Sequence, residues 1–535
     1  MEKDPERIPL IRFEDEHLLV LNKPAGMNTH APAPFAGEGI YDWLRHREPR
    51  WSRLAILHRL DKETSGILVF GKSPVANRSL TEQFTLHEVR KTYVLVSDRK
   101  PGQEQFTAVS ALARAGEKYV SRPLHAGGDR AETRFQVLEA KGALTLIEAR
   151  PITGRTHQIR VHAADHGIPI LGDALYGGTP AARLHLHAQE LTFKHPGTAA
   201  EVTFRAPAPF SAEPWIELRH ALVDPARTNA YRLLHGASDG HPGWYVERLG
   251  DFLLSQSEGP LSAVQSQLLS SWRESFAVRG VYHKILSQRL RGSTPEQVSP
   301  QHVSGDHAPD RFAVLENGIQ FELSFREGYS VGLFLDQRDN RRRLLVNHIA
   351  PGFPAWATDS ARPEVLNVFA YTCGLSVCAA NAGARTTSLD LSKKYLEWGR
   401  RNFALNDLDP GSHDFIHGDA LDWMGRLGRK KRLFDLILLD PPTFSRSREQ
   451  GVFRAEKDYG KLVAAALPLL RPGGVLFAST NAAQFAPEAF VETVEAAATR
   501  AQRTIVQRHY APQPPDFPIS RAEPGYLKTL WLRLN

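Results

Sequence analysis

The sequence predicts a multidomain protein: an N-terminal α+β domain on an antiparallel sheet, a small mixed α/β module, and a C-terminal doubly wound α/β domain. Three observations carry this. The length of 535 residues allows roughly three or four domains of ordinary size. Up to about residue 206 the apolar runs are short and strand-like, with few helical stretches between them. After Pro363 strand-like and helical patterns alternate, the rhythm of a parallel sheet covered by helices.

Taken in order, HLLVLNKP, GILVFGK, KTYVLVS, ETRFQVLEA and ALTLIEARP are separated by Gly/Pro turns and read as antiparallel strands. The Pro-rich stretch at 206–215 and the turn at 225–227 mark the first boundary. Expected domains are 1–222, 230–346 and 347–535. The polar, Pro-bearing stretch at 293–310 reads as a long surface loop. Beyond residue 363, VLNVFAY, TTSLDL, DFIHGD, FDLILLD and GGVLFAST are near-continuously apolar, as parallel strands buried on both faces should be. SKKYLEWGRRNFALN shows helical spacing. RTIVQRHY and LKTLWLRL follow without helix-length spacing between strands, which predicts an antiparallel end. With separate cores, a fragment beginning near Thr228 is expected to fold and bind its ligand alone.

Composition narrows the class. Hydrophobic residues are 42% and charged residues 23%, a soluble globular balance that excludes disordered, collagenous and membrane-embedded chains. The net charge of +7 is compatible with a polyanionic partner. Cys373 and Cys378 are the only cysteines, so no disulfide framework exists, and free thiols in a reducing compartment are expected. MEKDPERIPL has no apolar signal core, which predicts a cytoplasmic location without membrane attachment.

Three N-terminal segments carry chemistry. HRLDKETSG (58–66) holds Asp61 in a polar turn between apolar strands; KTYV places Tyr93 on a strand; GRTHQIRVH (154–162) concentrates Arg155, His157, Arg160 and His162. An Asp, an aromatic platform and an Arg to pair the Asp suit a site that holds a flat, extruded base. Together with GIPILGDALYGG and RLHLHA, these segments resemble the RluA-type RNA pseudouridine synthases, from about Leu10 to Ala206. The resemblance implies a pseudouridine synthase fold, Asp61 as the catalytic residue, Tyr93 against the base and Arg160 as partner of Asp61. A carboxylate can attack the sugar, attack the base or accept a proton, and the sequence leaves these open; no cofactor is called for. Arg59 suits either a structural role or filling the space left by a flipped nucleotide, and Arg155 suits RNA contact. His185 and His187 alternate in a strand-like run without ligand-spaced partners, so no metal site is expected.

In the C-terminal domain, a strand, a Gly-bearing turn and a helix start follow one another in VLNVFAYTCGLSV (365–377). The next strands end in Asp390, in Gly418-Asp419-Ala420 and in Asp440-Pro441-Pro442-Thr443-Phe444. Carboxyl ends of successive parallel strands are where such sheets bind ligands. This region resembles class I S-adenosylmethionine-dependent methyltransferases, most nearly the large-subunit ribosomal RNA enzymes of the RlmK and RlmI type. RLLHGASDGHPGWYVERLGDFL and GLFLDQRDNRRRL extend the likeness upstream to about Tyr231. The resemblance implies a Rossmann-like fold and S-adenosylmethionine as cofactor. It places Asn367, Phe369, Tyr371, Thr372 and Gly374 on the cofactor turn, with Asp390, Leu391, Asp419, Ala420 and Asp440 at the strand ends. Asp336, Gln337 and Arg338 would cap the pocket, and Asp440, Pro441, Pro442 and Phe444 would meet the target base. Arg341 and Arg342, continued by Arg343, are expected to reach RNA phosphate; the basic run at 429–432 reads as a solvated loop.

The atom methylated can be argued from absence. Carbon-5 of a pyrimidine is a poor nucleophile, and enzymes normally attack the ring first with a thiolate. DPPTFS and STNAA contain no cysteine, which favours nitrogen. DPPTFS and FRAEKDYGKL are more similar to the 7-methylguanosine branch than to the 5-methylcytidine one. The resulting expectation is a bifunctional enzyme acting on 23S ribosomal RNA. The alternatives are a ribosomal RNA methyltransferase with a 5-methylcytidine or exocyclic-amine product whose synthase-like domain only binds RNA, and a transfer-RNA substrate for the synthase half.

Overall fold

The computed structural model describes residues 7–286, 298–357, 362–447 and 451–535. The chain forms two compact units. The first comprises 1–31, 39–42 and 53–224; the second comprises 32–38, 43–52 and 225–535.

The first unit is built on one mixed, mostly antiparallel sheet, eleven-stranded among the described residues. Its central strands are β1 (Leu18–Lys23), β2 (Ser65–Gly71), β3 (Arg90–Ser97), β4 (Gln105–Ala115), β5 (Asp129–Lys141), β6 (Leu144–Pro151) and β7 (Leu186–Lys194), in the order β1-β2-β7-β3-β6-β5-β4. Helix α1 (Gln158–Asp165) packs through Ile159 and Ala163 into a core with Leu95, Phe135 and Ile147. The β2–β7 contact is the one parallel pairing along this path, with Gly66 opposite Ala188. Gly66 has φ +122°, and a Cβ there would lie 2.3 Å from the Ala188 carbonyl oxygen, so only glycine allows this approach. The start of β2, just after the loop bearing Asp61, is thereby held against β7.

The second unit contains two larger sheets. Five strands, β8 (Ala230–His235), β9 (Trp244–Leu249), β10 (Phe252–Ser257), β11 (Gly280–Ile285) and β12 (Gln301–Gly305), lie in chain order. Strand β12 occupies part of the stretch read as a loop, of which 293–297 lies outside the described residues. Its alternating exposed and half-buried side chains are those of an edge strand, whose polar composition hid it. Helix α2 (Arg338–Leu345) leads into the seven-stranded sheet. That sheet consists of β13 (Glu364–Val368), β14 (Arg385–Asp390), β15 (Asp414–His417), β16 (Phe434–Leu439), β17 (Leu470–Thr480), β18 (Ile505–Pro512) and β19 (Lys528–Leu534). The order is β15-β14-β13-β16-β17-β19-β18; β19 runs antiparallel to both neighbours. Helices α3 (Gly374–Asn381), α4 (Lys393–Ala404) and α5 (Ala420–Arg429) connect its first strands. Alternate residues feed opposite cores: Val365, Leu436, Leu438, Val475 and Phe477 on one face, Leu366, Ile437, Leu439 and Leu476 on the other. Both faces are therefore covered, which explains the unbroken apolar runs.

Residues 43–52 contribute directly to this unit. Trp43 Nε1 donates to Asp339 at 2.9 Å, Arg47 donates to the same carboxylate at 3.3 Å, and Glu48 pairs with Arg342. A fragment beginning near Thr228, expected from the sequence to fold alone, lacks these residues and their contacts with Asp339 and Arg342.

Candidate active sites

In the first unit Asp61 sits in the loop before β2, its side chain 31% exposed. The loop is tied on both sides. Thr29 Oγ1 donates to the Leu60 carbonyl at 2.9 Å, and buried Lys23 Nζ donates to the carbonyls of Pro24, Met27 and Lys62 at 2.9, 2.8 and 3.1 Å. Three acceptors use all three ammonium protons. Burial pushes Lys23 down to about 7, while Glu63, Glu217 and Asp61 pull it upward. Arg160, on α1, brings Nη1 to 3.6 Å from Asp61, and His157 brings Nε2 to 3.7 Å. Burial lowers the His157 pKa against the upward pull of Asp61. Tyr93 on β3 packs at the edge of the core, and burial, then Asp61, raises its phenol above the usual value.

The expected Arg160–Asp61 pair needs correcting in one respect. The main partner of Arg160 is Asp173, to which Nε and Nη2 each donate at 2.7 Å. Asp173 is fully buried and also accepts from the Tyr176 amide. The guanidinium lies 5.0 Å from the Tyr176 ring centroid, and Tyr176 Oη is 2.7 Å from His157 Nδ1. Asp173 thus fixes Arg160 in a bidentate grip that leaves Nη1 facing Asp61. Asp173, Tyr176, His157, Lys23 and Thr29 were missed as site residues; the GDALY and NKPAG runs carry most of them. Arg59 and Arg155 are exposed, with Arg155 3.8 Å from Asp129.

In the second unit the turn after β13 is strained. Phe369, Tyr371 and Cys373 have φ of 63°, 49° and 63°, left-handed conformations that cost on the order of 1–3 kcal/mol each. Gly374 merely opens α3; a Cβ there would meet Leu333 and Arg341 at 3.4 and 3.6 Å. Each Asp390 carboxylate oxygen accepts one amide, from Tyr371 and from Ser392, both at 2.8 Å. Thr372 Oγ1 donates to the Gly332 carbonyl at 2.6 Å. Asn367 is buried and donates to Ser376 at 2.8 Å, so it supports the turn from beneath. Asp419 caps α5 by accepting from Leu421 and Asp422, with Ala420 as the first helical residue.

Asp440 ends β16. Gln337 donates to it at 3.1 Å and to Ser479 Oγ at 2.8 Å, while Asn340 donates to Gln337 Oε1 at 2.7 Å. Burial and then nearby Asp336 push Asp440 up to about 6, against the hydrogen bonds from Ser479 and Gln337. Asp336 accepts from Tyr526 Oη at 3.1 Å. Pro441 is buried, Pro442 exposed. Phe334, Leu391 and Phe444 remain 47%, 48% and 47% exposed. Exposed large apolar side chains beside carboxylates at strand ends fit a ligand with a flat heterocycle and polar hydroxyls, as S-adenosylmethionine has.

Three expected contacts are overturned. Arg338 is buried in a bidentate pair with Asp516 at 2.7 and 2.5 Å. Arg341 is buried in a bidentate pair with Glu316 at 2.6 and 2.7 Å, and Arg342 pairs with Glu48. Arg341 and Arg342 are 3% and 5% exposed, so neither faces phosphate, and the Arg338 guanidinium is taken up by Asp516. A run of arginines reads as a cationic surface, but the carboxylates that bury this one come from distant parts of the chain and left no local signal. Both cysteines are buried, and burial pushes the Cys373 thiol up to about 12. Among the described residues, metal-ligating side chains come together at Glu38, His46 and His509. There Glu38 is already held by His46 at 2.6 Å and faces Arg343 at 3.5 Å.

Comparison with known proteins finds a family match in each part of the chain. The family model of RNA pseudouridylate synthases matches residues 17–165, and that of S-adenosylmethionine-dependent methyltransferases matches residues 261–533. A ribosomal RNA large subunit methyltransferase of Deinococcus radiodurans is 33% identical over 317 residues, covering 58% of this chain and 73% of its own. Ribosomal large subunit pseudouridine synthase C of Yersinia pestis is 40% identical over 227 residues, covering 40% of this chain and 68% of its own. Among solved structures, a protein described as a SAM-dependent methyltransferase from Streptococcus mutans aligns with TM-score 0.50 and 27% identity, over 64% of this chain and 87% of that one. The chain therefore belongs to the RNA pseudouridylate synthases in its N-terminal part and to the S-adenosylmethionine-dependent methyltransferases in its C-terminal part.

Proposed function

We propose that the chain modifies large-subunit ribosomal RNA twice, converting a uridine to pseudouridine and methylating a base, with guanine N7 as the favoured atom. The observation that carries the bifunctional reading is the state of Asp61. It stays partly exposed while Arg160, His157 and Tyr93 converge on it and Lys23 and Thr29 hold its loop. A domain kept only for binding RNA would have no use for such an arrangement. Both relatives named above act, by name, on large-subunit ribosomal RNA, which favours that substrate over transfer RNA.

In the synthase site Asp61 is the reactive carboxylate. Arg160 stabilises its charge, and Tyr93 offers a ring face to the extruded base. Arg59 would fill the space left by the flipped nucleotide and Arg155 would meet the RNA, both side chains being exposed. In the methyltransferase site S-adenosylmethionine supplies the methyl group. Asp390 and Asp419 would hold it through oxygen lone pairs left beside their backbone bonds, with Leu391 and Phe369 against its flat ring. Asp440 and Phe444 would position the target, which is chiefly a matter of bringing two reactants to near-contact distance. Buried thiols, one of them raised to about 12, suit nitrogen methylation, since neither can serve as an exposed thiolate. Residues 230–346 would form a recognition module, intervening in sequence between 1–222 and 347–535. Mass-spectrometric mapping of large-subunit RNA from a deletion strain tests the whole reading. Loss of one pseudouridine and one 7-methylguanosine is expected; an unchanged pattern refutes it.

A further inference from the structure

The outer edge of the seven-stranded sheet carries a feature that neither catalytic site uses. Strand β15 is the terminal strand, paired with β14 on one side only. Beside it lies an open groove of about 620 Å³, lined by Arg400 from α4, Phe415 from β15, Trp423 and Arg426 from α5, and Lys430 and Arg432 just beyond α5. The Arg400 guanidinium lies 4.1 Å from the Phe415 ring centroid, and that of Arg426 lies 4.9 Å from Trp423. Arg400 and Arg426 are 39% and 50% exposed. Lys430 is exposed and pairs with no carboxylate among the described residues. Arg432 is held by Asp414 at 3.3 Å, Arg426 by Asp422 at 2.8 Å and Arg400 by Glu397 at 3.5 Å.

Scattered charges alone would serve to guard a sheet edge against pairing. This groove does more, because two of its cations lie over aromatic rings and remain partly exposed. Guanidinium and aromatic planes stack unpaired bases, and a cationic groove tracks the phosphates between them. Strand β15, which lines the groove through Phe415, ends at His417, two residues before Asp419 of the proposed cofactor site.

We propose that this groove binds a single-stranded stretch of the RNA substrate outside the nucleotide that is methylated. The proposal rests on the RNA reading given above. The test measures binding of an unmodified large-subunit ribosomal RNA transcript to the full chain by fluorescence anisotropy over a salt series. The variants are Arg400→Gln/Arg426→Gln/Lys430→Gln, Lys430→Gln alone, and Arg508→Gln, a control in β18 at the opposite edge whose side chain is 57% exposed. Each cation withdrawn from a phosphate should lower the salt slope by about 0.7 for a single strand. The triple variant should therefore lower the slope by about 2 and bind about tenfold or more weakly at 0.15 M salt. S-adenosylmethionine binding by calorimetry should not change. Lys430→Gln alone, which breaks no ion pair, should lower the slope by about 0.7 and guards against a folding artefact. If wild type binds and the triple variant matches it in affinity and slope, the groove assignment is wrong and the RNA reading survives. The groove assignment fails equally if the control weakens binding as much as the triple variant does. A wild-type chain that does not bind the transcript removes both.

Discussion

Arg160 joins two carboxylates with different claims on it, and replacing it separates stability from catalysis. Arg160→Met removes a guanidinium that is 11% exposed from a carboxylate, Asp173, that is 0% exposed. Breaking a buried pair by deleting one partner costs about 3–5 kcal/mol, because the remaining charge is stranded. For a unit of this size each kcal/mol moves the melting temperature by about 2–4 °C, so the transition of the first unit should fall by about 6–20 °C. Adding Asp173→Leu replaces the whole pair with apolar groups, which is often neutral or stabilising, and should restore most of that loss. Catalysis should not return. The double variant still lacks the Nη1 group 3.6 Å from Asp61, and pseudouridine formation should stay impaired. Differential scanning calorimetry of the full chain reads the first quantity, and tritium release from RNA carrying 5-tritiated uridine reads the second. A single variant that melts within about 2 °C of wild type would refute the stranded-charge argument. Recovered activity in the double variant would refute the placement of Arg160 on Asp61.

Asp61→Asn should abolish tritium release while leaving S-adenosylmethionine binding by calorimetry unchanged; retained release would end the synthase assignment. Asp440 has a folded pKa raised to about 6 from 3.8, so the stability its protonated form contributes at low pH is lost as pH rises through that folded value. Asp440→Asn should consequently raise the melting temperature of the second unit at pH 8 more than at pH 5 while damaging methyl transfer, and equal shifts at both pH values would contradict this. The double variant Cys373→Ala/Cys378→Ala should keep methyl transfer within about tenfold, roughly 1.4 kcal/mol in barrier. Nucleoside analysis should then return 7-methylguanosine, whereas 5-methylcytidine lost with either cysteine would move the enzyme to the other branch. A fragment starting at Pro225 lacks Trp43, Leu44 and Trp51, which are 2%, 0% and 0% exposed. It should melt below the second unit of the full chain, and an identical melting temperature would show that residues 43–52 are dispensable.

The arrangement of strands was legible from sequence wherever burial imposed a simple period. The parallel strands β13, β16 and β17 are apolar on both faces because helices cover both, and that pattern marks them without any partner in view. Asp440 stands directly after such a run, where polarity changes abruptly, which made it a candidate. Strand β12 was not legible, because one exposed edge strand of polar residues looks like a loop until its neighbour β11 is seen. Side-chain partners were the province of tertiary structure alone. Arg338, Arg341 and Arg342 look alike in sequence, and only the approach of Asp516, Glu316 and Glu48 decides that they are buried braces. Lys430 and Arg432 look like a solvated loop, and only their position beside Arg400, Phe415 and Trp423 makes a groove. Hydrophobic patterning is read locally because burial repeats every two residues in a strand. Charge pairing depends on partners brought from anywhere in the chain, so its sign could be counted beforehand and its direction could not.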